Sequence, residues 1–211
     1  MLFLFRPSGL RAFLIIVSAS LLSLSASAQH PVREYSLTIR ENRVNKAGKW
    51  VDAVTVNDSI PAPTLYFTEG DSAVIHITNR LSEPSSIHWH GILLPNIYDG
   101  VPYLTTPPIL PGATYTVRFV FRQHGTYWYH SHSMMQEQRG LYGAIVVRPA
   151  TERVPADREI VLLLSDWTNA SPHHVMKNLK RNTEWYAVRK GQPQSLNRVI
   201  VDRTVEEKAM L

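Results

Sequence analysis

The sequence predicts an all-β protein built as a Greek-key sandwich, and three observations support this fold class. Several segments of five to seven residues alternate polar and apolar side chains, which is the pattern of a strand with one buried face. Glycine, proline, asparagine and aspartate cluster between these segments, as expected for tight turns. Apolar residues make up 44% of the 211 residues and charged residues 18%, a composition that can form a buried core. Many short strands at close spacing are typical of a sandwich or a barrel.

The predicted strands follow one another from residue 34 onward, and the first and third show the two-residue period most clearly. Strands are predicted at 34–40, 50–56, 72–78, 86–90, 115–121, 126–130, 142–147 and 159–164. Turns are predicted at 57–58, 61–63, 69–71, 111–112 and 124–125. Residues 29–150 are therefore expected to form one complete β domain.

The character of the sequence changes after this domain. Residues 151–157 show no periodicity and contain a proline, so they are predicted to be a linker. Only one strand and one helix are predicted beyond it, and a sheet cannot close from those pieces. Residues 158–211 are therefore expected to be the incomplete start of a second domain.

The predicted helix of the second unit begins at Ser171 and Pro172, a capping residue followed by proline at the first helical position. Val175, Met176 and Leu179 are expected to form its buried side.

The N-terminus is predicted to be a signal peptide, residues 1–28. Arg6 and Arg11 precede an apolar run at 12–24, and the small residues before Gln29 match the site that signal peptidase cleaves, after Ala28. No arginine pair precedes the apolar run, which indicates Sec-type export to a bacterial periplasm or to the exterior. The run is too short to span a bilayer, which needs about 20 apolar residues, and a retained membrane anchor is the alternative. No membrane span is expected after removal of the signal peptide.

The chain contains no cysteine. Disulfide scaffolds, iron–sulfur clusters, thiolate zinc sites and a blue-copper centre within this chain are therefore excluded, because each of them needs a thiolate. The net charge is +5 without a run of lysine or arginine, so no nucleic-acid partner is expected.

Four of the nine histidines form two His-x-His pairs, His88 with His90 and His130 with His132. Residues i and i+2 of a strand point to the same face, so each pair directs two imidazoles to one side. Two such pairs on neighbouring strands would be able to hold two or three metal ions, and a set of imidazoles suits copper, zinc, iron or nickel. Core packing is a poor alternative, because each buried ring would need polar partners.

These motifs resemble the multicopper oxidases. The matching segments are HWHG at 88–91, YDGVP at 98–102, PG at 111–112 and GTYWYHSH at 125–132. The segments MQEQRGLYGAIVV at 135–147 and SDWTNASPHHVMKNLKRNTEWY at 165–186 resemble the periplasmic copper-resistance A branch.

The resemblance implies that the first domain has a cupredoxin fold and that copper is the cofactor. It also implies that His88 is a ligand of the type 2 copper, and that His90, His130 and His132 are ligands of the type 3 pair. Asp99 matches the family's acidic residue near the trinuclear cluster, which orients or relays protons. A carboxylate there can pass protons through one water, and a turn residue before glycine is the alternative interpretation.

Other residues are weaker candidates. The thioethers of Met134 and Met135 are of a type that binds cuprous ion, but methionine more often fills gaps in packing. His76 and His124 have no partner at metal-ligand spacing, and His173 is expected in a solvated first helical turn.

The sequence departs from the family in lacking the type 1 cysteine and a second set of His-x-His motifs. One hypothesis is that the chain is the N-terminal portion of a multicopper oxidase. A C-terminal domain or a partner chain would then complete the cluster, for oxidation of a donor such as cuprous ion or a phenol by dioxygen. The alternative is a stand-alone periplasmic copper-binding or storage protein. A zinc hydrolase is a third, weaker hypothesis, because only Asp99 is near either pair in sequence.

Overall fold

The computed structural model describes residues 31–151 and 157–181. The predicted signal peptide, residues 152–156 of the predicted linker and residues 182–211 of the predicted second unit lie outside the described residues. The strands are β1 (Val32–Val44), β2 (Val51–Val56), β3 (Ala62–Thr68), β4 (Ser72–Asn79), β5 (His88–His90), β6 (Thr114–Val120), β7 (Gly125–His130) and β8 (Tyr142–Arg148), and the α-helix is α1 (Pro172–Arg181).

The eight strands form two four-stranded sheets. The strand order is β2-β1-β4-β6 in the first sheet and β3-β8-β7-β5 in the second. The pairs β1–β4 and β3–β8 are parallel and the other neighbouring pairs are antiparallel. The β-sandwich predicted from the sequence is confirmed.

Period-two alternation explains why these segments face each other across a core. In β4, every second side chain is buried, and Ile75 and Ile77 are at most 1% exposed. In β1, Leu37 and Ile39 point to the same interior. The two inner faces thus enclose the apolar core, while polar residues of the same strands face solvent.

Strand β3 was not predicted, because Pro61 and Pro63 indicate a turn. The structure places β3 at the edge of its sheet, where a proline without a backbone N–H costs no ladder hydrogen bond. A register shift between Ala62 and Leu65 accommodates Pro63. Leu65 is fully buried, so burial outweighs the turn signal.

The prediction of a strand at 159–164 was wrong. These residues form neither a helix nor a strand, and Ile160, Leu162 and Leu164 are 76–88% exposed. They form a short continuous apolar run, as in a strand buried on both faces, but within the described residues no partner strand pairs with them.

The predicted helix start is confirmed at Pro172, with the Val175 N–H bonded to the Ser171 carbonyl oxygen at 3.0 Å. The predicted buried side is wrong, because Met176 is 36% and Leu179 46% exposed. In the described part of the chain, no helix has the length and apolar character needed to cross a bilayer.

Candidate metal centre

The two His-x-His motifs lie side by side on strands β5 and β7. The antiparallel register places His88 opposite His130 and Trp89 opposite Tyr129. Trp89 and Tyr129 are at most 1% exposed and pack in the core, with ring centroids 5.9 Å apart. Because successive strand residues alternate between faces, His88, His90 and His130 share the opposite face.

The structure brings all four histidines of the two motifs together. The centroids of the His88 ring and the rings of His90, His130 and His132 are 5.6, 5.5 and 4.7 Å apart. His132 lies just beyond the end of β7, 4.9 Å from His130. His130 is buried, His88 half-buried, and His90 and His132 exposed, so the cluster opens to the surface.

The nitrogens of this cluster have the spacing of metal ligands. One ring nitrogen from each of His88, His90 and His130 lies within 4.8 Å of the others. His90 Nδ1 is 3.3 Å from His130 Nε2. Two bonds of about 2.0 Å at a tetrahedral angle place their nitrogens about 3.3 Å apart. His90 and His130 are therefore spaced to bind one ion, which would replace the proton between them.

Backbone contacts select which nitrogen each ring presents. His88 Nδ1 lies 2.6 Å from the carbonyl oxygen of Asp99, which can only accept, so Nδ1 carries the proton. His88 Nε2 thus keeps its lone pair for a metal ion. The Asp99 carboxylate is also at the cluster, with Oδ1 3.5 Å from His88 Nδ1.

Burial and neighbouring charges lower the pKa of two histidines in the cluster. The pKa of His130 is lowered to about 4, mainly by burial and to a smaller extent by the neighbouring His132, His88 and His90. Burial and the charge of His88 also lower the pKa of His132. At neutral pH these two imidazoles are uncharged, which is the form that binds metal ions.

The loop that carries Asp99 is held by Gly100 and Thr106. The Gly100 N–H donates to Thr106 Oγ1 at 2.8 Å, and this hydroxyl donates to the Ile97 carbonyl oxygen at 2.8 Å. Gly100 has φ +84°, and a Cβ there would lie 1.8 Å from the Ile87 carbonyl oxygen. Only glycine lets this loop approach β5 closely enough for Asp99 to reach His88.

We expect Gly100→Ala to lower the free energy of unfolding by about 3 kcal/mol or more, since a backbone clash adds to the cost of the positive φ. Urea denaturation of the metal-free chain measures this. Gly112→Ala is the matched control, because Gly112 has φ +77° and nothing within 4 Å of its Cβ position. The control should lose only about 1 kcal/mol. Equal losses in the two variants would contradict the close-approach argument.

A buried polar network fixes the segment that follows His130. Gln136 is 1% exposed, and its Oε1 accepts hydrogen bonds from Ser85 Oγ at 2.7 Å and Ser131 Oγ at 3.0 Å. Its Nε2 donates to the Pro84 carbonyl oxygen at 2.9 Å. The His132 N–H donates to Ser86 Oγ at 3.2 Å. Both histidines of the second motif are thereby anchored to the segment that leads into β5.

Sequence reasoning did not identify Gly100, Thr106, Gln136 or Glu137 as site residues. Glycine after Asp99 was interpreted as a turn signal, which is correct but incomplete. The side-chain partners of the other three lie 5 to 53 residues away in sequence. No local pattern reports such contacts.

Trp128 packs against two of the clustered imidazoles. Its ring stacks on His130 with centroids 3.9 Å apart and planes 12° apart, and it lies 5.1 Å from the His90 ring. This stacking restricts rotation of the two imidazoles.

The histidines outside the two motifs lie elsewhere. His76 Nε2 is 2.7 Å from Glu34 Oε1, and His124 Nδ1 is 3.1 Å from Glu69 Oε2. Each is a histidine–carboxylate pair on the surface. Within the described residues, the cluster of His88, His90 and His130 is the group with the geometry of a metal site. Its imidazole nitrogens suit copper.

Comparison with known proteins agrees with this geometry. Residues 38–152 match the family model described as multicopper oxidase. The copper resistance protein A of Escherichia coli is 47% identical over 169 residues, which are 79% of this chain and 28% of that protein. The copper resistance protein A homolog of Pseudomonas syringae pv. tomato is 49% identical over 155 residues, 72% of this chain and 26% of the relative.

A solved structure shows the same architecture. The multicopper oxidase Fet3p, described as functioning in iron import, matches with a TM-score of 0.64 and 31% identity, over 70% of this chain and 29% of that one. The chain thus spans less than a third of the length of these relatives. With a family match over more than half of its residues and a sandwich of the same fold, the chain belongs to the multicopper oxidase family, whose cofactor is copper.

Proposed function

We propose that this chain supplies the N-terminal cupredoxin domain, residues 29–150, of a periplasmic multicopper oxidase of the copper-resistance type. It contributes half of a trinuclear copper cluster, at which oxidation of a reducing substrate is coupled to reduction of dioxygen to water. The observation that carries the proposal is the convergence of four imidazoles, with His90 Nδ1 and His130 Nε2 3.3 Å apart.

The ligand assignments follow the family pattern. We assign His88 to the type 2 copper, and His90, His130 and His132 to the type 3 pair. The 3.3 Å spacing supports binding of one type 3 ion by His90 and His130, with His132 directed to the other. Copper, when bound, alternates between its cuprous and cupric states and so delivers single electrons to dioxygen.

Asp99 is proposed as a residue that orients the site and relays protons. Its carbonyl oxygen fixes the orientation of His88, and its carboxylate lies 3.5 Å from the same ring. Reduction of dioxygen to water consumes protons, and a carboxylate at the edge of the cluster can receive them from solvent. Asp99 is half-buried, so its side chain reaches both environments.

The rest of the oxidase is proposed to come from a C-terminal domain or a partner chain. A blue type 1 copper needs a cysteine thiolate, and this chain has no cysteine. Residues 158–211 are proposed as the start of a second cupredoxin domain, joined by the linker 151–157. The relatives are named for copper resistance, which supports cuprous ion as the reducing substrate, and a phenol is the alternative donor.

The proposed location is the periplasm. Residues 1–28 have the charged start, apolar run and small-residue site of a signal peptide cleaved after Ala28. A copper-binding or storage protein without oxidase activity is the second candidate function, because the histidine cluster can bind an ion without a type 1 site.

The purified chain should bind cupric ion through imidazoles and remain free of intense blue colour. The intense blue band of type 1 copper arises from a copper–thiolate bond, which this chain cannot form. Copper analysis after gel filtration and a visible spectrum measure the two properties. A strong blue band in the copper-loaded chain, or no retained copper, would contradict the proposal.

A further inference from the structure

The carboxylate of Glu137 lies against the inner nitrogen of His130. Glu137 Oε2 is 2.8 Å from His130 Nδ1, and the Ser131 carbonyl oxygen is 3.2 Å from the same nitrogen. We propose that Glu137 is a positioning residue, which keeps the proton of His130 on Nδ1 and so presents the Nε2 lone pair to the metal site. This inference rests on the proposed role of His130 as a copper ligand.

Electrostatics favours this tautomer. A lone pair on Nδ1 would face two electron-rich oxygens at 2.8 and 3.2 Å and would be repelled by both. A proton on Nδ1 turns these contacts into attractions. The lone pair is then on Nε2, the nitrogen that lies 3.3 Å from His90 Nδ1.

The chain around Glu137 holds the carboxylate in place. Its carbonyl oxygen accepts the Gly140 N–H at 2.9 Å. The preceding residue, Gln136, is buried in the polar network described above. The Glu137 side chain is 34% exposed and that of His130 only 6%, so the contact is shielded on the imidazole side.

A carboxylate next to the far nitrogen of a ligating histidine fixes the ring and raises its basicity, and loss of such a group typically lowers metal affinity 10- to 100-fold. Sequence reasoning gave no signal for this role, because Glu137 follows the motif by five residues and is not at a ligand spacing.

The first test uses the metal-free chain and needs no copper. Long-range ¹H–¹⁵N NMR of the imidazoles reports which nitrogen carries the proton. We expect His130 to be protonated on Nδ1 in the wild-type chain and in Glu137→Gln, whose amide oxygen can still accept. In Glu137→Leu we expect a mixture of the two tautomers. An unchanged Nδ1–H tautomer in Glu137→Leu would overturn the proposal.

The second test measures affinity for cupric ion by competition with a chelator. Glu137→Leu should bind about 10-fold more weakly than wild type, and Glu137→Gln within about threefold of it. Glu34→Leu is the matched control, since it removes the carboxylate of a histidine pair distant from the cluster and should leave the affinity unchanged. An equal loss in the Gln and Leu variants would show that the charge or direct ligation matters, and would overturn the positioning role.

The two tests separate this inference from the proposed function. If the wild-type chain fails to bind cupric ion, the proposed function fails while the tautomer measurement still decides the role of Glu137. If it binds copper and Glu137→Leu binds equally well with an unchanged tautomer, only the positioning role fails.

Discussion

Dioxygen consumption should be undetectable for this chain alone and should appear when the chain is combined with the missing part of the cluster. In the family each type 3 copper takes three imidazoles, so the proposed ligands His90, His130 and His132 would be half of the six required. Electrons enter the cluster through a cysteine-ligated copper, and the chain has no cysteine. The C-terminal cupredoxin domains of a copper-resistance relative, fused or added as a second chain, would supply the remaining imidazoles and the cysteine.

The measurement is oxygen-electrode recording with a cuprous or phenolic donor. Single variants His88→Ala, His90→Ala, His130→Ala and His132→Ala in the complemented enzyme should each reduce the rate to background. His76→Ala is the matched control, because His76 contacts Glu34 and Thr116 on the sheet surface and should keep the wild-type rate. Robust dioxygen consumption by the chain alone would refute the half-cluster argument and favour a different copper chemistry.

The same complemented enzyme tests Asp99. A proton relay is not a ligand, so Asp99→Asn should slow turnover at wild-type copper content. The asparagine variant keeps the backbone carbonyl group that contacts His88. It therefore tests the carboxylate without removing the contact made by the loop backbone. Loss of copper from this variant would make the Asp99 side chain a structural or ligating group instead.

Strand periodicity was sufficient to predict which face the histidines share. His88 and His90 differ by two residues, so their common face follows from the pleat alone. Their proximity to His130 did not follow from it, since pairing of β5 with β7 joins residues about 40 apart in sequence. On the sequence alone, only the family resemblance predicted that the two histidine pairs lie together.

The failures of sequence reasoning have physical causes of the same kind. Strand β3 contains Pro63, which a strand tolerates at the edge of a sheet. The edge position depends on strand order, which local turn and strand propensities do not predict. The apolar segment at 159–164 has the composition of a buried strand, but a strand is stable only when a neighbouring strand pairs with it. Gly100 and Glu137 act through contacts with β5 and His130, so their roles depend on tertiary structure that no local pattern encodes.

Replacing His88, His90, His130 and His132 together by alanine should lower the affinity of the chain for cupric ion by about 1,000-fold or more. Ring nitrogens of His88, His90 and His130 converge within the described chain, and the His132 ring lies beside them; metal binding in such sites derives its free energy from ligand bonds. The variant with His76→Ala and His124→Ala is the matched control. It also removes surface imidazoles with carboxylate neighbours, and it should retain wild-type affinity.

The pH dependence of binding provides a second check on the same assignment. Protons and cupric ion compete for imidazole nitrogens, so affinity falls as pH falls, and for exposed histidine the fall begins near a pKa of about 6.5. Burial lowers the pKa of His130 to about 4 and that of His132 below its ordinary value. His130 therefore remains unprotonated as pH falls to about 5, and the chain should keep part of its affinity there. Competition titrations at several pH values measure this.

The same shift predicts the stability of the metal-free chain. Between pH 6.5 and 4 the unfolded chain binds a proton at His130 that the folded chain does not, so the free energy of unfolding falls as pH falls through this window. The free energy of unfolding that this group loses over the window is at most about 3 to 4 kcal/mol. His130→Gln, which cannot titrate, should show a flatter dependence in urea denaturation. A wild-type chain with affinity and stability both independent of pH between 4 and 7 would show that His130 is not the buried neutral imidazole on which the site depends.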